Sequence, residues 1–217
     1  MNRRNLVILL ALTVVGTVVV LARNGSSTAT SDQVATANQT IAGNATTQVA
    51  QGRHVFRFET FGDQAFWGDT LHLHEAIEGS KFGGVGPGVS PNTALAVGLK
   101  VDVDALPASL IAQIKQGQVN LDDPGVTLAL LKLNSVVGIT GFFKADGSMK
   151  SVAIQCALCH STVDNSLAPG IGHRLDGWAN RDLDVGQIVA LAPNLKPFSE
   201  LLRVDQATVR KVLQSWG

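Results

Sequence analysis

Apolar residues run almost unbroken from Leu6 to Ala22, interrupted only by Thr13, Gly16 and Thr17, and Arg3 and Arg4 precede them. A basic start followed by an apolar core is the pattern of an export signal. The run sits at the short end of the roughly 17–25 residues that cross a bilayer. Val20-Leu21-Ala22 offers small residues for a signal peptidase. Residues 1–22 therefore read equally as a cleaved signal peptide or as an uncleaved membrane anchor. In both cases the arginines stay inside and the body is exported, to the periplasm or the outer face of the cytoplasmic membrane. The apolar pattern then stops. Residues 23–53 are dominated by Ser, Thr, Ala, Asn, Gln and Gly. Such a stretch has too little apolar surface to fold alone and is expected to be a flexible tether.

Periodicity resumes with Phe56, Phe58, Phe61, Phe66 and Trp67. Thr60 or Asp63 can cap a helix that runs to about Glu78, with Gly79 as its stop. The Gly- and Pro-rich stretch from Gly79 to Pro91 has neither dinucleotide nor phosphate-loop spacing and reads as a plain loop. A second helix is predicted over Pro107–Lys115, ended by Gly117. A third starts at Asp123-Pro124, with Asp as cap and Pro in the first turn, and repeats Val126, Leu130, Leu133 and Val137 at helical spacing. Ile139 to Ile154 has the β-branched and aromatic character of a hairpin, with Asp146-Gly147 at its turn. A last helix is predicted from Asp205, a good N-cap, to Trp216. The expected fold is mainly α: an N-terminal helical region with a β-hairpin (54–149), packed on a small helical domain (150–217).

Composition narrows the function classes. Apolar residues make up 45% of the 217, too many for a disordered chain, and 17 basic residues balance 17 acidic ones. Zero net charge argues against a nucleic-acid partner, which requires a basic face or stripe. Two cysteines cannot build a disulfide-rich scaffold or a four-cysteine zinc site.

Those two cysteines stand in Cys156-Ala157-Leu158-Cys159-His160, the C-x-x-C-H spacing of covalent c-type haem attachment. Two thiols one helical turn apart can each add to one vinyl group of the same haem. The adjacent imidazole is then held beneath the iron as an axial ligand. An exported body is the compartment in which such attachment takes place. Three other readings compete. A thioredoxin-like redox pair needs strand–helix alternation that the flanks do not display. A zinc site using both cysteines would require His160 to turn back on an ion already held by its neighbour. A structural disulfide is the last.

From Cys156 onward the chain resembles the class I cytochrome c domain. Pro169-Gly170-Ile171-Gly172 is similar to the family loop whose proline carbonyl accepts the axial histidine's hydrogen bond, which implies that role for Pro169. Arg174, Trp178 and Arg181 fall where the family places donors to the haem propionates, Arg181 being favoured. The resemblance also implies that the last helix crosses the one carrying the cysteines. Upstream, Arg57-Phe58-Glu59-Thr60-Phe61-Gly62-Asp63 through Leu73-His74-Glu75, with Val89-Ser90-Pro91 and Gly98-Leu99-Lys100-Val101-Asp102, is similar to a group of bacterial cytochrome c-like proteins. Longer members of that group continue past a Ser-Trp-Gly like residues 215–217, which implies a shortened form or a fragment.

A class I domain takes a methionine on the far side of its iron, and no methionine follows Cys159. Met149 reads as packing and His173 as a surface residue. His54 is expected to be exposed. His72 and His74 would point about 200° apart on a helix, so only one could reach a haem, and His74 is the candidate. Otherwise the distal position is open. The expected function is an exported monohaem c-type cytochrome that passes electrons to and from redox partner proteins, an electron carrier with no catalytic residue. Its one covalent haem and the haem iron are held by Cys156, Cys159 and His160, with the iron on His160. The competing reading is a peroxidase-like haem enzyme or gas sensor with an open distal site, for which Glu75 is the nearest acid–base group. A module without haem is the third reading.

Overall fold

The computed structural model describes residues 30–215, so the export signal or anchor expected at residues 1–22, and Trp216, lie outside the described residues. Among the described residues no helix is long and apolar enough to cross a membrane. The chain divides into two units, residues 1–51 and Gly52–Gly217.

The described part of the first unit is helical where composition predicts a flexible tether. Helix α1 (Ser31–Phe58) is 28 residues long and buries none of them. Its start is a capping box: the Thr30 hydroxyl accepts from the Gln33 N–H, and the Gln33 side chain accepts from the Thr30 N–H at 2.9 Å. Thr36, Thr40, Thr46 and Thr47 donate their hydroxyls to carbonyls one turn back, so the polar composition is absorbed within the helix. Ala and Gln are good helix formers and no proline interrupts them.

The second unit is α-rich, with three two-stranded sheets among its described residues. A π-helical turn (Ala65–Thr70) leads into α2 (Leu73–Glu78), and α3 (Pro91–Ala96) follows the glycine-rich loop. Strand β1 (Val101–Asp102), α4 (Ala108–Lys115) and α5 (Pro124–Lys132) come next. The hairpin β2 (Ile139–Phe143) and β3 (Met149–Ile154) leads to α6 (Ala157–His160). Strands β4 (Ser161–Val163), β5 (Ile171–Gly172) and β6 (Arg174–Asp176) follow. Helices α7 (Val185–Ala190), α8 (Lys196–Leu202) and α9 (Gln206–Leu213) complete it.

The caps expected at Asp123 and Asp205 are made, by acceptance from the Gly125 and Thr208 N–H groups. The hairpin pairs Ile139 with Ile154, as its pattern requires. The helix expected from about 60 to 78 is instead broken at His72, whose φ of 57° is left-handed. The break has a packing cause. Residues two apart on a helix point about 200° apart, yet Leu71 and Leu73 are 0% and 3% exposed; reversing the chain at His72 turns both inward. The helix from Asp123 also stops earlier than its apolar repeat: it ends at Lys132, Asn134 is left-handed, and Val137 packs elsewhere.

No boundary falls near residue 149. One apolar core gathers Leu71 and Leu73, Leu128 and Leu131, Val152 of the hairpin, and Ile188, Leu195 and Val209 of the last helices. Parallel pairing of β1 with β5 ties residue 101 to 171 and 102 to 172, across the expected domain border. A single core of this kind explains why the two expected domains form one unit: neither half buries its apolar faces without the other.

Candidate functional site

Strand β3 delivers the chain to Gln155, whose N–H donates to the Gly138 carbonyl at 3.0 Å. The following turn is α6. Its residues divide by environment: Ala157 and Leu158 are buried, while Cys156, Cys159 and His160 are exposed. Ala157 packs with Val137, Val163 and Phe56, and Leu158 enters the main core. The two unreactive positions of the motif therefore anchor the turn, and the three reactive ones face out. Both thiols are free.

A one-turn helix has little stability of its own, and its terminal carbonyls need partners. They find them in the segment after β6. The Gly177 N–H donates to the His160 carbonyl (2.8 Å), and the Asn180 N–H donates to the Cys159 carbonyl (3.0 Å). The Asn180 side-chain amide donates to the Leu158 carbonyl (3.4 Å) and to the Gly98 carbonyl (2.9 Å). Asn180 carries no motif signal, and sequence reasoning missed it. Gly138 is the second omission: a Cβ there would stand 2.2 Å from the Leu158 Cα, so only glycine lets the hairpin base meet the turn. An isolated glycine beside a strand was the available signal.

Strand β4 continues from the turn and pairs antiparallel with β6, Ser161 opposite Asp176 and Thr162 opposite Leu175. One step further, Gly177 lies opposite His160 and presents no side chain; a Cβ added there would meet nothing within 4 Å. Leu175 and Trp178 on either side are exposed, Trp178 by 67%. The imidazole thus stands uncovered, beside apolar surface.

Behind the pair of strands is a charge cluster. Asp176 accepts from the Arg57 Nε and the Arg174 Nε, each at 2.7 Å, and from the Ser161 hydroxyl at 2.8 Å. Burial pushes the Asp176 carboxyl up, but the hydrogen bonds from Arg57 and Ser161 and the charges of both arginines outweigh it, so its pKa is lowered. Arg174 has a side chain only 3% exposed. Burial pulls its pKa down, with Asp176 opposing. It is therefore a buried support of the strands.

The other residues named from the sequence are spread around the unit. Pro169 is exposed at the tip of a turn closed by Ala168 and Ile171, and that turn is tied to β1 by the Val101 N–H on the Gly170 carbonyl. No hydrogen bond joins Pro169 to His160 among the described residues. Arg181 is exposed and follows Asn180 directly, which keeps it beside the motif turn. Met149 is 1% exposed in the core, as expected of packing. His173 is an exposed surface residue paired with Asp104 at 2.8 Å. His54 is exposed on α1, not on a tether.

His72 and His74 do not point apart. The left-handed residue brings their rings together, stacked with centroids 6.2 Å apart, and Glu75 takes His72 at 3.0 Å. Burial lowers the pKa of His74, with Glu75 and Glu78 opposing. The segment from Asp63 to Glu78 runs against β3 in the opposite sense. Asp63 accepts from the Ile154 N–H, Gly68 meets Ser151, and Glu78 accepts from the Met149 N–H. The His74 helix therefore lies towards the Met149 end of β3, the end away from Cys156. The last helix packs on α7 and α8, where Arg210 reaches the Ala190 and Ala192 carbonyls.

Among the described residues no group of three or more His, Cys, Asp or Glu side chains is arranged to hold a metal ion. Cys156, Cys159 and His160 are each exposed and form no such group, unlike the ligands of a preformed zinc site. Two free outward thiols and an uncovered imidazole on one turn do fit a planar macrocycle laid against that face. No protein-family model matches this chain, and it has no match among curated proteins or among solved structures.

Proposed function

We propose that the protein is an exported monohaem c-type cytochrome that relays electrons between redox partners. The supporting observation is the division of the motif turn: Ala157 and Leu158 buried, Cys156, Cys159 and His160 exposed on one side. Cys156 and Cys159 would hold the haem by one thioether each, every thiol adding across a vinyl group, and His160 would bind the iron. The ferrous–ferric cycle of the bound haem supplies the chemistry. The chain's own contribution is placement. Asn180 and Gly177 hold the turn through its three last carbonyls, so the imidazole keeps its direction when the iron changes charge. Leu175 and Trp178 offer apolar surface to the ring, which excludes water from part of it and raises the cost of charging the iron. Arg181 stands ready as a propionate donor. The haem-holding segment is in this reading a face of one common core, not a separate class I domain.

A haem enzyme or gas sensor is the second reading, favoured by the position of His74 at the far end of β3 and of Met149 inside the core. Protein matured with a c-type maturation system separates the two. An electron carrier with a firmly held sixth ligand keeps its reduced spectrum when carbon monoxide is added. A rapid spectral shift would assign an open iron and the second reading. Haem lost on a denaturing gel would remove both.

A further inference from the structure

On the inner side of the fold, α2, α3, α4 and α5 surround a cavity of about 70 Å³. Its wall is almost wholly apolar: Leu73, Ile77, Ala94, Leu110, Ile114 and Leu131 are representative. None of Cys156, Cys159 or His160 lines it. Lys100 contributes its stem, while its ammonium is bound to Asp182 at 2.6 Å. One lining residue carries an unsatisfied polar atom: Thr127 is 6% exposed, and its Oγ1 is buried with no hydrogen-bond partner. A helical threonine usually returns its hydroxyl to a carbonyl one turn back; this one does not.

The contents of such a space follow from its chemistry. A water needs roughly 10–15 Å³ of this kind of volume and two to four polar partners. There is room for several waters but a single hydroxyl to bind them, so water is a poor occupant. An apolar molecule alone would fill the space and leave the hydroxyl unmet. We infer that the cavity is a binding site for a small apolar ring that carries one hydrogen-bonding oxygen, with Thr127 as its polar contact. Leu191, one of the lining residues, is itself 37% exposed. This site is separate from the proposed haem face and stands whether or not haem is attached.

Two probes of equal ring size test it: benzene and phenol, titrated into the full chain while backbone amide shifts are recorded. Both should give saturable shifts at Leu73, Ala94 and Thr127. Thr127→Val keeps the shape and removes the hydroxyl; it should weaken phenol about two- to tenfold, the usual worth of one net hydrogen bond, and leave benzene unchanged. Ala94→Leu should abolish both by filling the space. No saturable shift with either probe would overturn the site. An equal effect of Thr127→Val on benzene and phenol would overturn the role of Thr127, and with it the ligand class.

Discussion

Asp176 shows how single side chains hold the motif from behind. Its carboxylate joins Arg57 of α1, Arg174 of β6 and Ser161 of β4, the residue directly after His160. Because its pKa is lowered in the fold, the unfolded chain binds more protons in the window below the ordinary carboxylate value near 3.8. Its contribution is therefore complete above that value and is lost as pH falls through the folded pKa. Asp176→Asn should cost about 1.5–3 kcal/mol at pH 7, the range for hydrogen bonds to charged groups. The difference from the parent should narrow as pH drops below about 4. Denaturant midpoints at pH 7 and pH 3 measure this; an equal loss at both would mean that shape, not charge, is what Asp176 supplies. At this scale the sequence was most informative where a residue acts locally. The caps at Asp123 and Asp205 and the thiols of the motif could be read directly. Asn180 could not, because its partners Leu158 and Gly98 are remote in the chain and an exposed-looking asparagine in a loop has no spacing to betray it.

Among elements, the junction of hairpin and motif turn carries the site. Gly138 has φ of 81° and touches Leu158. Gly138→Ala adds a methyl group where the Leu158 backbone already lies and forces alanine into the left-handed region, so both steric and dihedral costs apply. It should destabilise the protein by about 2 kcal/mol or more and lower the fraction matured with haem, measured by denaturant unfolding and by haem absorbance per protein. A neutral effect on both would show that the turn is not seated on the hairpin base. The elements also mark where periodicity misleads. The hairpin and α4 and α5 were legible because their patterns match one buried face. The helix of residues 60–78 was not, because Leu71 and Leu73 both serve the core and only a reversal at His72 permits it. That same reversal stacks His72 on His74. Residues 31–51 read as a tether because their composition lacks an apolar face; the capping box of Thr30 and Gln33 was the missed signal.

For the whole molecule, the border expected near residue 149 disappears because one core runs from Leu71 to Val209. A separate domain of residues 150–217 would be marginal in size; here its buried residues are shared with the helices that precede it. Residues 54–215 then act as a single support with a reactive turn on its surface, and the proposed export of that support rests on the apolar run at residues 6–22. Intact mass of protein matured outside the cytoplasm, combined with thiol alkylation under denaturing conditions, tests the central claim most directly. The account predicts a mass increased by one haem, with both Cys156 and Cys159 protected from the alkylating reagent. An unmodified mass with two alkylated thiols, or with the two sulfurs joined to each other, would contradict it.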